Sequence, residues 1–284
     1  MKRILHILMA IALSLGALLS CDDHDDTLVT TGEVVVEGWI EDGEFPVVKL
    51  TSPVRIFSQW QSVDSLNNIV LRWEHVTVSN GEQTVTLTGQ YDSRYFPPYI
   101  YTTTDLRGRA GDTYRLTVHR SGQPDVVATT TIPPRARVDS FSMEQFNGSD
   151  TLRSVFAHVS IPRQPVTYYK LFTRHNSNSK DYLSSFLGVI RSDMIPADGR
   201  IAVHKGRTNL IRRYSPSFVR GDTVIVRFAQ IDSVAYEYWR SYEEMLSLSR
   251  NTFFPTTTNM PTSVSGGMGF WQGMGSSYYQ IVIK

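Results

Sequence analysis

Short alternating runs punctuated by glycine turns limit this fold more than any other feature. His75-Val76-Thr77-Val78 leads into Ser79-Asn80-Gly81-Glu82 and then Thr84-Val85-Thr86-Leu87. Val76, Val78, Val85 and Leu87 alternate with polar residues, the period of strands with one buried face. Asn-Gly between them supplies the positive backbone angles that a tight hairpin needs. The pattern recurs on either side. Residues 34–40 are an apolar run ending in Glu41-Asp42-Gly43-Glu44, and a new run starts at Phe45. Residues 114–118 and 126–132 flank Arg120-Ser121-Gly122-Gln123. Three hairpins so closely spaced predict an antiparallel sandwich.

Ile132-Pro133-Pro134 interrupts the series. Two prolines cannot donate to a ladder, and they stiffen the chain. Further runs follow at 137–143, 154–161, 168–174 and 222–230. One stretch departs from period two. Val234, Tyr238, Tyr242, Met245 and Leu246 recur at helical spacing, with Asp232 or Ser233 placed to cap the start. The spacing predicts one amphipathic helix over 233–250. Its aromatic stripe, including Trp239, is either a ligand platform or the packing face on a sheet, and the second reading is preferred. In 265–273 glycines alternate with aromatics, without the lysine and hydroxyl residue of a phosphate-cradling loop. That pattern predicts a strand approached closely by other backbone, with 278–283 as the closing strand. The fold class expected is mainly β: two β-sandwich-like domains, 33–134 and 135–284, the second carrying the helix. The first also looks similar to immunoglobulin-like or transthyretin-like modules.

The N-terminal residues give an address. Lys2-Arg3 precede ILHILMAIALSLGALL, residues 4–19, which is short for a bilayer span and lacks a basic flank behind it. This is the layout of a secretory signal over 1–20. It ends in Leu18-Leu19-Ser20-Cys21, which resembles a bacterial lipobox, and Cys21 is the only cysteine. A thiolate is the nucleophile such lipidation needs. Asp22, Asp23, Asp25 and Asp26 follow within a tether, 21–32. Acidic residues in that place resemble the export signal that sends Bacteroidetes lipoproteins to the cell surface. The expected localisation is therefore the outer membrane, lipid-anchored and facing outward.

Composition excludes several classes of function. Without residues 1–20, which contain Lys2 and Arg3, 26 of 28 basic side chains remain against 27 acidic ones, a net of −1. No nucleic-acid partner is expected from that balance. With Cys21 lipidated, no thiol remains for a disulfide or a thiolate metal site. The seven histidines, His6, His24, His75, His119, His158, His175 and His204, show no ligand spacing, so neither a metal nor a cofactor is expected. No nucleophile elbow occurs. Glu243-Glu244 are adjacent on the helix and do not face each other.

The run Val35-Val36-Glu37-Gly38-Trp39-Ile40, the segments 111–118 and 128–133, and the Gly266-Gly267-Met268-Gly269-Phe270 tail together resemble a Bacteroidetes lipoprotein family, domain of unknown function 4249. The resemblance covers nearly the whole chain after the signal. It carries no catalytic residues. It implies an accessory role at the cell surface, because members often sit beside TonB-dependent outer-membrane transporters.

The expectation is a non-enzymatic accessory or binding lipoprotein, working with a TonB-dependent transporter in nutrient capture on a ligand the sequence does not name. An envelope structural or adhesion module is the alternative, and a hydrolase with a site assembled from distant strands comes after it. Candidate surface residues are Tyr91, Tyr95, Tyr99 and Tyr101, four tyrosines in eleven residues, whose rings stack on sugars or partner surfaces. Five Asp-Ser/Thr-aliphatic tripeptides resemble O-glycosylation acceptors, and Thr27, Ser65 and Thr151 lie in loop-like contexts. Arg220-Gly221-Asp222 matches an adhesion tripeptide, read here as a tight turn.

Overall fold

The structure is a computed structural model, and it describes residues 33–53, 69–175, 183–207, 214–248 and 260–284. The chain is mainly β, in a sandwich-like arrangement. The three hairpins form as their turns require: β1 (Val35–Glu41) with β2 (Val47–Thr51), β3 (His75–Ser79) with β4 (Thr84–Tyr91), and β6 (Thr113–His119) with β7 (Val126–Thr131). Gly43, Gly81 and Gly122 take positive φ at their tips. Within the first half one strand escapes sequence reading, and after Pro134 the strands at 183–191, 200–203 and 218–219 escape it too. β5 (Tyr99–Thr102) follows two prolines inside the tyrosine-rich stretch and pairs with both β2 and β4.

After Pro134 come β8 (Ser140–Gln145), β9 (Leu152–His158), β10 (Tyr168–His175), β11 (Leu183–Arg191), β12 (Arg200–Val203), β13 (Phe218–Val219) and β14 (Thr223–Ile231). The helix α1 spans Ser233–Leu248. Asp232 caps it, its Oδ1 accepting from the Ala235 N–H at 2.7 Å. No described helix is long and apolar enough to cross a membrane. The chain returns through β15 (Val264–Ser265) and β16 (Met268–Val282).

β16 determines the architecture. It is 15 residues long, and its first half runs parallel to β1 while its second half runs antiparallel to β14. One twelve-stranded sheet results, in the order β11-β10-β14-β16-β1-β2-β5-β4-β3-β6-β7-β15. A second, smaller sheet is built on β9, which pairs with β8, β12 and β13. Residues 264–274 thus complete the layer made by the first half of the chain.

The core changes hands at the prolines. Ile132 closes an apolar cluster that includes Val36, Ile40, Leu116 and Trp271. Ala136 opens a second, with Leu171, Val226, Phe228 and Ile283. Between them the chain crosses β16, and the crossing needs glycine. A Cβ on Gly273 would meet the Thr131 carbonyl, and one on Gly275 the Pro134 carbonyl. The crossing is fixed by hydrogen bonds from the Gly273 N–H to Thr130 Oγ1 (2.7 Å) and from the Ala136 N–H to the Gly275 carbonyl (2.9 Å).

Candidate functional site

Pleating divides the residues of the central strands between two faces. Val36, Gly38, Ile40 and Trp271 face the first core; Val224, Val226, Phe228 and Leu171 face the second. The opposite face gathers Glu37, Trp39 and Glu41 from β1, Lys49 from β2, and Phe270, Gln272, Met274, Ser276 and Tyr278 from β16. Arg227 of β14 and Lys170 and Phe172 of β10 extend the same face. Helix α1 covers much of it. Trp239 stands edge-on to Phe172 at 5.3 Å, and its indole N–H donates to Gln272 Oε1 at 3.0 Å.

Among the described residues two ion pairs are buried on this face, one of them made by the helix. Arg227 meets Glu41 at 2.6 Å; Arg227 Nε donates to Ser276 Oγ at 3.2 Å, and the Tyr278 hydroxyl donates to Glu41 Oε2 at 2.7 Å. Lys170 Nζ lies 2.7 Å from Glu243 Oε1 and donates to the Ser185 carbonyl at 3.2 Å. The Gly188 N–H donates to the same carboxylate oxygen at 3.0 Å. Burial pulls the Lys170 ammonium below the ordinary lysine range, and the Glu243 charge opposes that fall. Charges so buried cost solvation that only close pairing and further hydrogen bonds offset, and both pairs have them.

Beside the helix this face reaches solvent as an aromatic trough. Glu37 and Lys49, opposite one another on β1 and β2, pair at 2.6 Å, and Glu37 keeps nearly half its side chain in water. Trp39 packs with Tyr95 at 5.9 Å, and Tyr238 with Phe270 at 4.3 Å. Burial pushes the Tyr238 and Tyr242 hydroxyls up, and the Glu37 charge adds to it. A crevice of about 50 Å³ lies between α1 and β16, lined by Asp232, Tyr238, Phe270 and Gln272 among others. That volume suits a water or two; drug-sized ligands need several hundred Å³. What the trough offers is the partly exposed rings of Trp39, Tyr95 and Tyr238 around a half-exposed ion pair, with Phe270 buried behind Tyr238, suited to stacking on a ring or receiving a partner's loop. Among the described residues no group of three or more His, Cys, Asp or Glu could hold a metal ion.

The four tyrosines singled out in the sequence separate. Tyr91 is exposed at the end of β4, and Tyr95 lies against Trp39 in the trough. Tyr99 donates its hydroxyl to the Arg72 carbonyl at 3.0 Å. Tyr101 is a correction: it is only 2% exposed, belongs to the first core, and donates to the Leu71 carbonyl at 2.8 Å. Burial pushes its hydroxyl up to about 12. Strand alternation turns residue 101 inward, so it lines no surface. Thr151 is exposed in the β8–β9 turn, where its carbonyl accepts from the Arg220 N–H at 2.8 Å. In the Arg220-Gly221-Asp222 turn the aspartate is engaged by His175 Nε2 at 2.5 Å and the Val219 N–H at 3.1 Å. Cys21, Asp22, Asp23, Asp25, Asp26, Thr27 and Ser65 lie outside the described residues.

Sequence reading missed the buried pairs. Arg227 stands between Val226 and Phe228, so alternation marks it only as polar-facing; what buries it comes from Phe172, Met274 and Tyr278 on other strands. Comparison with curated proteins gives no match. The family model described as Domain of unknown function (DUF4249) matches residues 22–278, nearly the whole chain, and the protein belongs to that family.

Proposed function

We propose that this protein is an outer-membrane lipoprotein, anchored through acyl groups on Cys21 and exposed on the cell surface. There it serves as a non-enzymatic accessory or binding subunit of a TonB-dependent transporter in nutrient capture. The observation that carries this reading is the position of the one cysteine. It ends a signal-like apolar run, and four aspartates stand in the next five positions. The trough formed by Trp39, Tyr95 and Tyr238 supports a binding role, because it offers partly exposed rings beside the Glu37–Lys49 pair.

Palmitate labelling and a mild-detergent pull-down from the native cell test both parts. The reading expects label that disappears in Cys21→Ala, digestion of the protein by protease added to whole cells, and a stoichiometric transporter in the eluate. An unlabelled protein overturns the anchor, protection from protease overturns the surface placement, and a solitary labelled protein overturns the transporter role.

A further inference from the structure

We propose that the body stands on the membrane on one particular end, with Trp73 and Tyr91 as the lipid-contacting side chains. The inference rests on the lipid anchor at Cys21 and adds an orientation to it.

Strand register identifies the end. β1 begins at Val35, beside Met268, its parallel partner on β16, and Thr51, its antiparallel partner on β2. Tyr91 opposite Tyr99 ends the β4–β5 pair there, and His75 opposite His119 ends the β3–β6 pair. The tether that precedes Glu33 therefore enters where β2 and β4 finish and β3 and β5 start. Large apolar side chains are exposed at this end: Trp73 is 94% exposed, Tyr91 73% and Met268 39%. They are fixed to the body. Arg72, next to Trp73, accepts the Tyr99 hydroxyl at its carbonyl, and its guanidinium lies 5.8 Å from the Tyr99 ring. Lys49 Nζ donates to the Phe96 carbonyl at 3.3 Å, holding the turn between β4 and β5 against β2.

The chemistry selects lipid as the occupant. Indole and phenol rings favour the zone between headgroups and acyl chains, where an apolar body and a polar edge are both satisfied. The Arg94 charge is met by Asp92 at 2.5 Å, and Glu74 and Asp125 stand among Arg72 and Arg120. Attraction would therefore come from ring insertion rather than from a basic cluster. Attachment beside Val35 keeps this end of the sheet nearest the lipid anchor. Anchoring keeps the local lipid concentration high, so weak insertion suffices.

The experiment uses the natively lipidated full chain, reconstituted into phosphatidylethanolamine and phosphatidylglycerol vesicles carrying lipids brominated high on the acyl chain. The chain has five tryptophans, so Trp73→Phe isolates one emission component, and at 94% exposure the change leaves packing intact. We expect brominated lipid to quench a component present in the wild type and missing in the variant, equally at low and high salt. Quenching of Trp73 by aqueous iodide alone, on protein still held by the vesicles, overturns the orientation and leaves the anchor standing. Shielding of Trp73 only when a co-purified protein is added overturns it in favour of a protein partner. A chain without acyl mass on Cys21 that leaves the vesicles overturns the anchor itself.

Discussion

Lys170 and Leu171 are neighbours on β10, and neither exposes any surface. Leu171 points into an apolar core with Val226 and Phe228. Lys170 points the other way, onto a face where Glu41, Arg227, Glu243 and Gln272 are buried as well. The first face is held by area removed from water. The second is held by geometry, since an ion pair in a dry setting returns little net stability but penalises any arrangement that separates it. The contrast teaches why α1 sits in one place. An apolar helix could slide over an apolar sheet with small loss; a helix carrying Glu243 must bring it to Lys170.

Substituting the two neighbours breaks this comparison most directly. Leu171→Ala should cost about 2–5 kcal/mol through the cavity it leaves. Lys170→Met should cost about 3–5 kcal/mol, because the Glu243 carboxylate stays buried without its partner. The double variant Lys170→Met, Glu243→Leu should regain most of that loss in denaturant unfolding. If it is no better than the single variant, the pair is not a matched unit. A smaller effect sharpens the role of the cap: Asp232→Ala should cost about 1 kcal/mol, read as a lower unfolding midpoint and less helical signal. The smallest concerns Asp222. Burial pushes its carboxyl up, but the His175 and Val219 hydrogen bonds outweigh that and hold it below 3.8. A lowered folded value means that stability is present above the unfolded value and lost as pH falls through the folded one. Asp222→Asn should therefore lower stability slightly at neutral pH, change it least below the folded value, and so flatten the acid side of the stability profile below about pH 4.

Much of the fold was legible because its signals are local. Asn80-Gly81 and its neighbours specify a hairpin within a dozen residues, and the spacing from Val234 to Leu246 specifies α1 with Asp232 as cap. The preference for a packing role of the aromatic stripe agrees with Trp239 lying against Phe172. β5 was hidden by the prolines before it, which read as a loop. The first half of β16 was legible as a strand from its glycines, but its partner on β1 lies over two hundred residues away, and no local pattern names a partner at that distance. The trough and the buried pairs depend on that pairing, on α1, and on the turn carrying Tyr95, so only their polarity could be read in advance.

β16 also has a consequence for synthesis. β1 is made early, but its neighbour is among the last residues to be polymerised, and the same strand joins β1 to β14. Pairings so distant in sequence form slowly. Until Met268 and its successors emerge, β1 and β14 both present unpaired edges, which are templates for aggregation. A chain truncated before that point loses more than a tail. It loses the one strand that makes a single sheet out of two, so quality control that holds the nascent chain extended until its end is available would protect it.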